Sequence, residues 1–280
     1  MIGPIGKRTS CPMGPLVYRQ SIWTRATHWI WAACLFFLLI SGLQIFNAHP
    51  ALYVGQESGF AYENSPLAIY AEATPEGLRG RTAIFDRVFD TTGVLGVSNG
   101  EQRGFPAWAT LPSYQDLATG RLVHFFFAWM LVATLLVWLA SALVSGRLTR
   151  DLLPTRADIQ RLPRDILDHV RGRFHRGRSY GVLQKLTYAA VLFVLFPLIV
   201  LSGLTMSPGI DAAWPGLLDL FGGRQTARTV HFLVMLLLVS FFIVHIVMVL
   251  LAGPVNELRS MITGWYRADP GTPPTEGDRP

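Results

Sequence analysis

The sequence predicts an all-α integral membrane protein: a four-helix transmembrane bundle with a parallel internal repeat of two helix pairs and a long outer loop between spans one and two. Three observations carry this prediction. Only 15% of the 280 residues are charged while 51% are hydrophobic, whereas a soluble domain carries about 25% charged residues. The deficit is concentrated in four stretches without Asp, Glu, Lys or Arg: Ala26–Gln56, Leu122–Gly146, Leu186–Ile210 and Thr229–Asn256. Each exceeds the ~20 residues needed to cross a ~30 Å hydrocarbon core. Finally, short motifs recur at matching places. RLVHF (Arg121–Phe125) opens span two as RTVHF (Arg228–Phe232) opens span four, and ISGL (Ile40–Leu43) closes span one as LSGL (Leu201–Leu204) closes span three. Equivalent motifs on helices of equal direction make a parallel repeat about the membrane normal. A soluble enzyme, a disordered tail protein and a secreted disulfide scaffold are excluded.

Residues 1–20 form a Gly/Pro-containing lead, followed by a single four-span domain over 21–266 and a mobile Pro/Gly-rich tail over 267–280. Span one covers 21–46, with Trp23, Trp29 and Trp31 as an aromatic interface belt. The outer loop, 47–120, has glycines, prolines and aromatics such as Phe105 and Trp108 that read as an ordered cap, without obvious regular elements. Span two covers 121–145. In the loop 146–182, Ile159, Leu162, Ile166, Leu167 and Val170 share one helical face with arginines opposite, which reads as a helix lying on the inner leaflet. Thr155–Asp158 resembles its capping box, against which Pro163 counts. Span three covers 183–206 and is expected to kink at Pro197. Span four covers 226–252 and ends at Gly253-Pro254.

Charge sets the orientation. With four spans, both termini and the 146–182 loop share one side, and that side holds 17 of the 24 basic residues. The positive-inside rule then places both termini in the cytoplasm and residues 47–120 outside. The net charge of +6 is accounted for by anionic lipid at the inner leaflet, so a nucleic-acid partner is not expected. Cys11 and Cys34 fall in the lead and inside span one, where no disulfide is expected. The first apolar run is too long for a signal peptide and reads as a retained helix.

Four of the seven histidines lie in the spans: His28, His124, His231 and His245. Ionisable side chains inside a bilayer are costly and are functional candidates by default. His231 and His245 are fourteen residues apart, which at 100° per residue is four turns less ~40°, so both leave one face of span four ~21 Å apart along its axis. Spans two and four enter from outside and span one from inside. The depth-matched pairs are therefore His124 with His231 at the outer end and His28 with His245 at the inner end. The second pair carries a depth mismatch of ~8 Å that helix tilt, or a span one starting below the membrane surface near Ser21, can absorb. Two stacked imidazole pairs in an apolar bundle suit two haems with axial ligation. Calcium or magnesium wants oxygen ligands, zinc wants three or four ligands together, and no C-x-x-C-H is present for covalent attachment. Two histidines saturate the iron, which favours electron transfer over oxygen binding. Arg25, Arg121 and Arg228 each precede a histidine by three residues, on the same helix face, where propionate contact and snorkelling to lipid phosphate compete. His49 is a loop histidine near the outer pair, and His169 and His175 belong to the basic loop. Gln184, Lys185 and Tyr188 are candidates for a quinone site, with interface anchoring as the plainer reading.

WTRATHW in span one, RLVHFFFAW in span two and the H-x13-H spacing of span four resemble the bacterial di-haem cytochrome b family. That family takes in the b subunits of nickel–iron hydrogenases, the gamma subunit of formate dehydrogenase, thiosulfate reductase cytochromes and the cytochrome b-561 type. The resemblance spans roughly residues 18–266. FNAHPALY and MSPGIDAAWP look like a subgroup accompanying a periplasmic molybdopterin oxidoreductase. The resemblance implies a subunit of the bacterial inner membrane that passes electrons between such a partner and quinone through two haems b, with His28, His124, His231 and His245 as iron ligands. The long outer loop departs from the compact members and favours a docking surface. The alternative is a self-contained di-haem oxidoreductase, such as a superoxide:quinone oxidoreductase; a haem-free transporter or anchor stands behind it.

Overall fold

The computed structural model describes residues 14–59, 64–146, 148, 153–171 and 181–268. In chain order its main elements are strand β1 (Leu16–Tyr18), helix α1 (Ile22–Phe46), and strands β2 (Ala51–Leu52), β3 (Leu67–Thr74), β4 (Gly77–Ile84), β5 (Arg87–Asp90), β6 (Gly96–Ser98) and β7 (Glu101–Arg103). Helices α2 (Leu117–Val144), α3 (Arg156–Val170), α4 (Val182–Ala190), α5 (Phe196–Thr205), α6 (Pro208–Ala213), α7 (Gly216–Leu220), α8 (Arg224–Ala252) and α9 (Pro254–Thr263) follow, then strand β8 (Trp265–Arg267). Among the described residues four helices are long and apolar enough to cross a membrane: Ile22–Phe46, Leu117–Val144, Val182–Thr205 and Arg224–Ala252. The chain is a multi-pass membrane protein built on a helical bundle.

The span ends follow from local capping. The Ser21 hydroxyl accepts the Thr24 amide at 3.2 Å and starts α1. Asp116 accepts the Thr119 amide at 3.0 Å and its hydroxyl at 2.7 Å, so α2 begins four residues before the expected Arg121, in a polar turn ahead of the apolar run. The third span is interrupted. α4 passes into a π turn at Val191–Leu195 before α5. Pro197 has no N–H, and its ring would meet the carbonyl of Phe193 in a regular helix. Widening the preceding turn relieves that clash.

The chain forms two compact units. One comprises 27–141 and 190–243. Its core packs Val191, Phe196, Val234 and Leu238 against Trp31, Leu35, Leu135 and Ile199. The Trp31 indole donates to the Thr134 hydroxyl at 3.0 Å and meets Trp138 and Phe196 edge-on, giving a polar N–H in apolar surroundings the acceptor it needs. A second cluster, Phe46, Leu52 and Ile69 with Leu67, Phe105 and Phe232, seats the 47–120 loop on α1 and α8.

That loop departs from the all-α expectation. It carries an antiparallel sheet in the order β2-β3-β4-β5 and a separate β6–β7 hairpin. Ser98 pairs with Glu101 across Asn99-Gly100, both with positive φ (50° and 79°), the conformation that twists a two-residue hairpin correctly. Ile69 faces the core, while Tyr70 and Glu72 beside it are exposed or partly so. On the charged face Arg81 pairs with Glu72 at 2.6 Å and Asp90 at 3.3 Å, and Arg79 with Asp90 at 3.4 Å and with Glu76.

The other unit comprises 1–26, 142–189 and 244–280. β1 pairs antiparallel with β8 over a small core of Val17, Tyr266 and Ala268, and the Arg19 guanidinium sits 4.7 Å above the Tyr266 ring. Thr155 and Asp158 cap α3 reciprocally at 3.0 and 3.2 Å, and the helix continues through Pro163. Asp165 accepts the Leu183 amide at 2.8 Å, and Asp158 pairs with Lys185 at 3.3 Å. Helix α9, with Pro254 in its first turn after Gly253 (φ 112°), falls in a stretch where the sequence reading placed no element. Cys11, His175 and the tail from 269 onward lie outside the described residues.

Candidate functional site

α2 and α8 each bring a histidine two turns in from the helix N-terminus: His124 and His231. The two rings face each other with centroids 6.3 Å apart and planes inclined by 60°. Each ring is held by the helix that precedes its own span. The Ser41 hydroxyl on α1 lies 3.1 Å from His124 Nδ1, and the Ser202 hydroxyl on α5 lies 3.1 Å from His231 Nδ1. Each serine has one proton, and it goes to a carbonyl one turn back: Ser41 donates to Phe37 at 2.6 Å and Ser202 to Leu198 at 2.7 Å. The hydroxyl oxygens must therefore accept from the rings. With the serine protons so placed, each ring carries its proton on Nδ1, which leaves an Nε2 lone pair on each ring.

The residues after these serines make room for the rings. A Cβ on Gly42 would stand 3.3 Å from His124 Cε1, and one on Gly203 would stand 3.2 Å from His231 Cε1. Ser41, Gly42, Ser202 and Gly203 were visible in the sequence as the repeated ISGL and LSGL. Their chemical partnership with RLVHF and RTVHF is what reading by motif missed.

This donor set fits a metal that brings its own equatorial ligands. Two ring nitrogens on one metal at about 2 Å each place the ring centres roughly 6 Å apart, close to the spacing observed. Among the described residues no group of three or more His, Cys, Asp or Glu side chains could hold a metal ion.

The arginines differ. Arg228 donates to the His49 carbonyl and lies over the Phe46 ring at 5.2 Å. Arg121 is exposed, with its guanidinium 5.6 Å from the Phe125 centroid. Arg25 donates to the Ile262 carbonyl. Around Arg228 the long loop is clasped to α8. The Thr229 hydroxyl donates to the Tyr53 carbonyl at 2.7 Å, the Gly55 amide to the Thr226 hydroxyl at 2.7 Å, and the Gln225 amide to the Gly55 carbonyl at 3.1 Å. His49 Nε2 lies 3.0 Å from the Tyr53 hydroxyl. Burial, and then the Arg228 charge, push its imidazole pKa down.

His28 lies on α1 with the 27–141 and 190–243 unit, and its ring meets Trp29 edge-on at 5.3 Å. His245 lies on α8 with the other unit. Lys185 is paired with Asp158, and the Gln184 side chain accepts the Gly181 amide at 3.2 Å. Both hold the start of α4.

The chain is 29% identical over 246 residues to the candidate protein-methionine-sulfoxide reductase subunit YedZ1 of Azospira oryzae, covering 86% of this chain and 94% of that protein. No solved structure matches it. The family model for prokaryotic cytochrome b561 matches residues 19–264. With four spanning helices and imidazoles facing inside the bundle, the chain belongs to the prokaryotic cytochrome b561 family, membrane b-type cytochromes that carry electrons on haem.

Proposed function

We propose that this chain is the membrane-anchoring cytochrome subunit of a redox complex, carrying electrons through two bis-histidine haems b between a periplasmic oxidoreductase and the quinone pool. The observation that carries the reading is the facing of His124 and His231, each with its proton fixed on Nδ1 and its Nε2 lone pair left for a metal. His28 and His245 are the ligands of the inner haem. An oxidoreductase partner is supported by the relative described as a protein-methionine-sulfoxide reductase subunit, and its molybdopterin type by the resemblance of FNAHPALY and MSPGIDAAWP. The termini are cytoplasmic and the 47–120 loop, with its β-sheet, is the periplasmic docking surface. A parallel duplication of two helix pairs is supported by the matched Ser-Gly and His contacts.

Bound haem supplies a one-electron couple. The chain's own residues do the rest. His124 and His231 would hold the outer haem iron through their Nε2 atoms, and two histidine ligands favour electron transfer over oxygen binding. The serines hold the rings in one tautomer. Arg25, Arg121 and Arg228 are candidate propionate donors.

The purified chain should show a low-spin b-type spectrum with two haems per polypeptide, and reduced quinol should reduce them. A ratio of one or none overturns the pairing. Affinity purification from the native membrane should bring down a periplasmic oxidoreductase; a lone chain that oxidises superoxide with quinone as acceptor replaces the subunit reading with the self-contained one.

A further inference from the structure

We infer that Ser41 and Ser202 are a matched pair of positioning residues that set the reduction potential of the outer centre; the inference rests on the ligand reading of His124 and His231. Both hydroxyls are fully buried, at 0% exposure, so water does not take their place. Each stands 3.1 Å from the Nδ1 of one facing ring, and each has already donated its proton to a backbone carbonyl. A serine that only satisfied itself inside a helix would need nothing more than that carbonyl. These two instead present an oxygen lone pair to an imidazole, beside a glycine without which the ring could not approach so closely.

The chemistry follows from the direction of the bond. An imidazole N–H that donates to an acceptor becomes a more basic ligand through its other nitrogen. A more basic axial ligand favours the oxidised iron, so the two serines hold the potential down. Loss of either hydroxyl removes half of this effect. The protein thus has two equivalent adjustments on one centre, one from each helix pair.

The test is a potentiometric titration of the purified full chain, read from the haem absorption bands together with haem content and the low-spin electron paramagnetic resonance signal. Ser41→Ala and Ser202→Ala should each keep the low-spin signal and move one of the two waves to more positive potential, with a larger move in the double variant. His231→Ala identifies that wave by removing it. Ser240→Ala is the control, because Ser240 makes the same helical back-bond, to the Leu236 carbonyl at 2.8 Å, without the ring contact. Waves in both serine variants that coincide with wild type and with the control overturn the inference while leaving the ligand reading intact. Retention of both waves in His231→Ala overturns the ligand reading itself. If an alanine variant empties the centre, the threonine variant decides. Restored haem at the wild-type potential supports the inference, and a centre still empty overturns it.

Discussion

The two helix pairs treat their histidines alike and their arginines differently. On α1 and α2 the serine-to-ring distance is 3.1 Å and the serine-to-carbonyl distance 2.6 Å; on α5 and α8 they are 3.1 and 2.7 Å. The glycine clearances, 3.3 and 3.2 Å, agree as well. One turn toward the N-terminus the likeness ends. Arg121 lies exposed over Phe125, whereas Arg228 is held by the His49 carbonyl beneath a loop pinned by Thr226 and Thr229. The 47–120 loop leaves the chain between α1 and α2 yet fastens itself to α8. The shared part is what a ligand ring needs. The unshared part is where the loop has taken over one of two equivalent positions.

The largest expected effect tests the shared part. His124→Ala and His231→Ala should each remove the outer haem and leave the inner one, halving the haem-to-protein ratio. A variant that retains two haems breaks the equivalence at its root. Next come Gly42→Ala and Gly203→Ala. Each adds a methyl within 3.2–3.3 Å of a ring atom, and overpacking of this kind costs about 1–3 kcal/mol. Both should lower haem retention on mild heating, and by similar amounts; a large effect from one alone would mean that the two pairs are not equivalent. Arg228→Gln against Arg121→Gln probes the unshared part. The first should raise amide exchange at Gly55 and Gln225, since their bonds lie beside Arg228, while the second should leave them at the wild-type rate.

How far the sequence reached depends on the kind of signal each region carries. The spans were legible because the absence of charge over more than twenty residues has one physical cause, the hydrocarbon. Their ends were legible less well. Asp116 lies outside the apolar run yet starts α2 through Thr119, and the widened turn at Val191–Leu195 shows in the sequence only as Pro197. The loop was misread as lacking regular elements because its strands are short and one face is polar, although Asn99-Gly100 is a hairpin signal and Leu67–Thr74 partly alternates. At the candidate site, spacing and repeat picked out His124 and His231, and the structure sets their rings 6.3 Å apart. The serines escaped notice because a buried serine in a span looks like packing until its proton is followed.

The smallest expected effect separates the loop from the bundle by pH. Asp90 accepts the Thr92 hydroxyl at 2.6 Å and amide at 3.0 Å, and it faces Arg79 and Arg81. These contacts, the Thr92 hydroxyl first, pull its pKa from 3.8 to about 2. A carboxylate lowered on folding stabilises the fold above its unfolded pKa and loses that contribution as pH falls through the folded value. The β4–β5 hairpin should therefore loosen between about pH 4 and pH 2, and only slightly, because the site is at the surface and its charges are screened by salt. Protection from amide exchange at Thr82 and Phe89, which pair across these strands, should fall slightly over that window in the wild type once each rate is divided by the intrinsic rate at that pH. In Asp90→Asn the same protection should be slightly lower throughout and should not titrate over that window. Haem absorption should follow the same course with pH in both, because the α8 clasp is made by Thr226, Thr229 and Arg228, none of which titrates in that range. An absorption change that follows the Asp90 titration would show that the sheet and the facing histidines respond as one element, and would remove the distinction between the loop and the helix pairs it rests on.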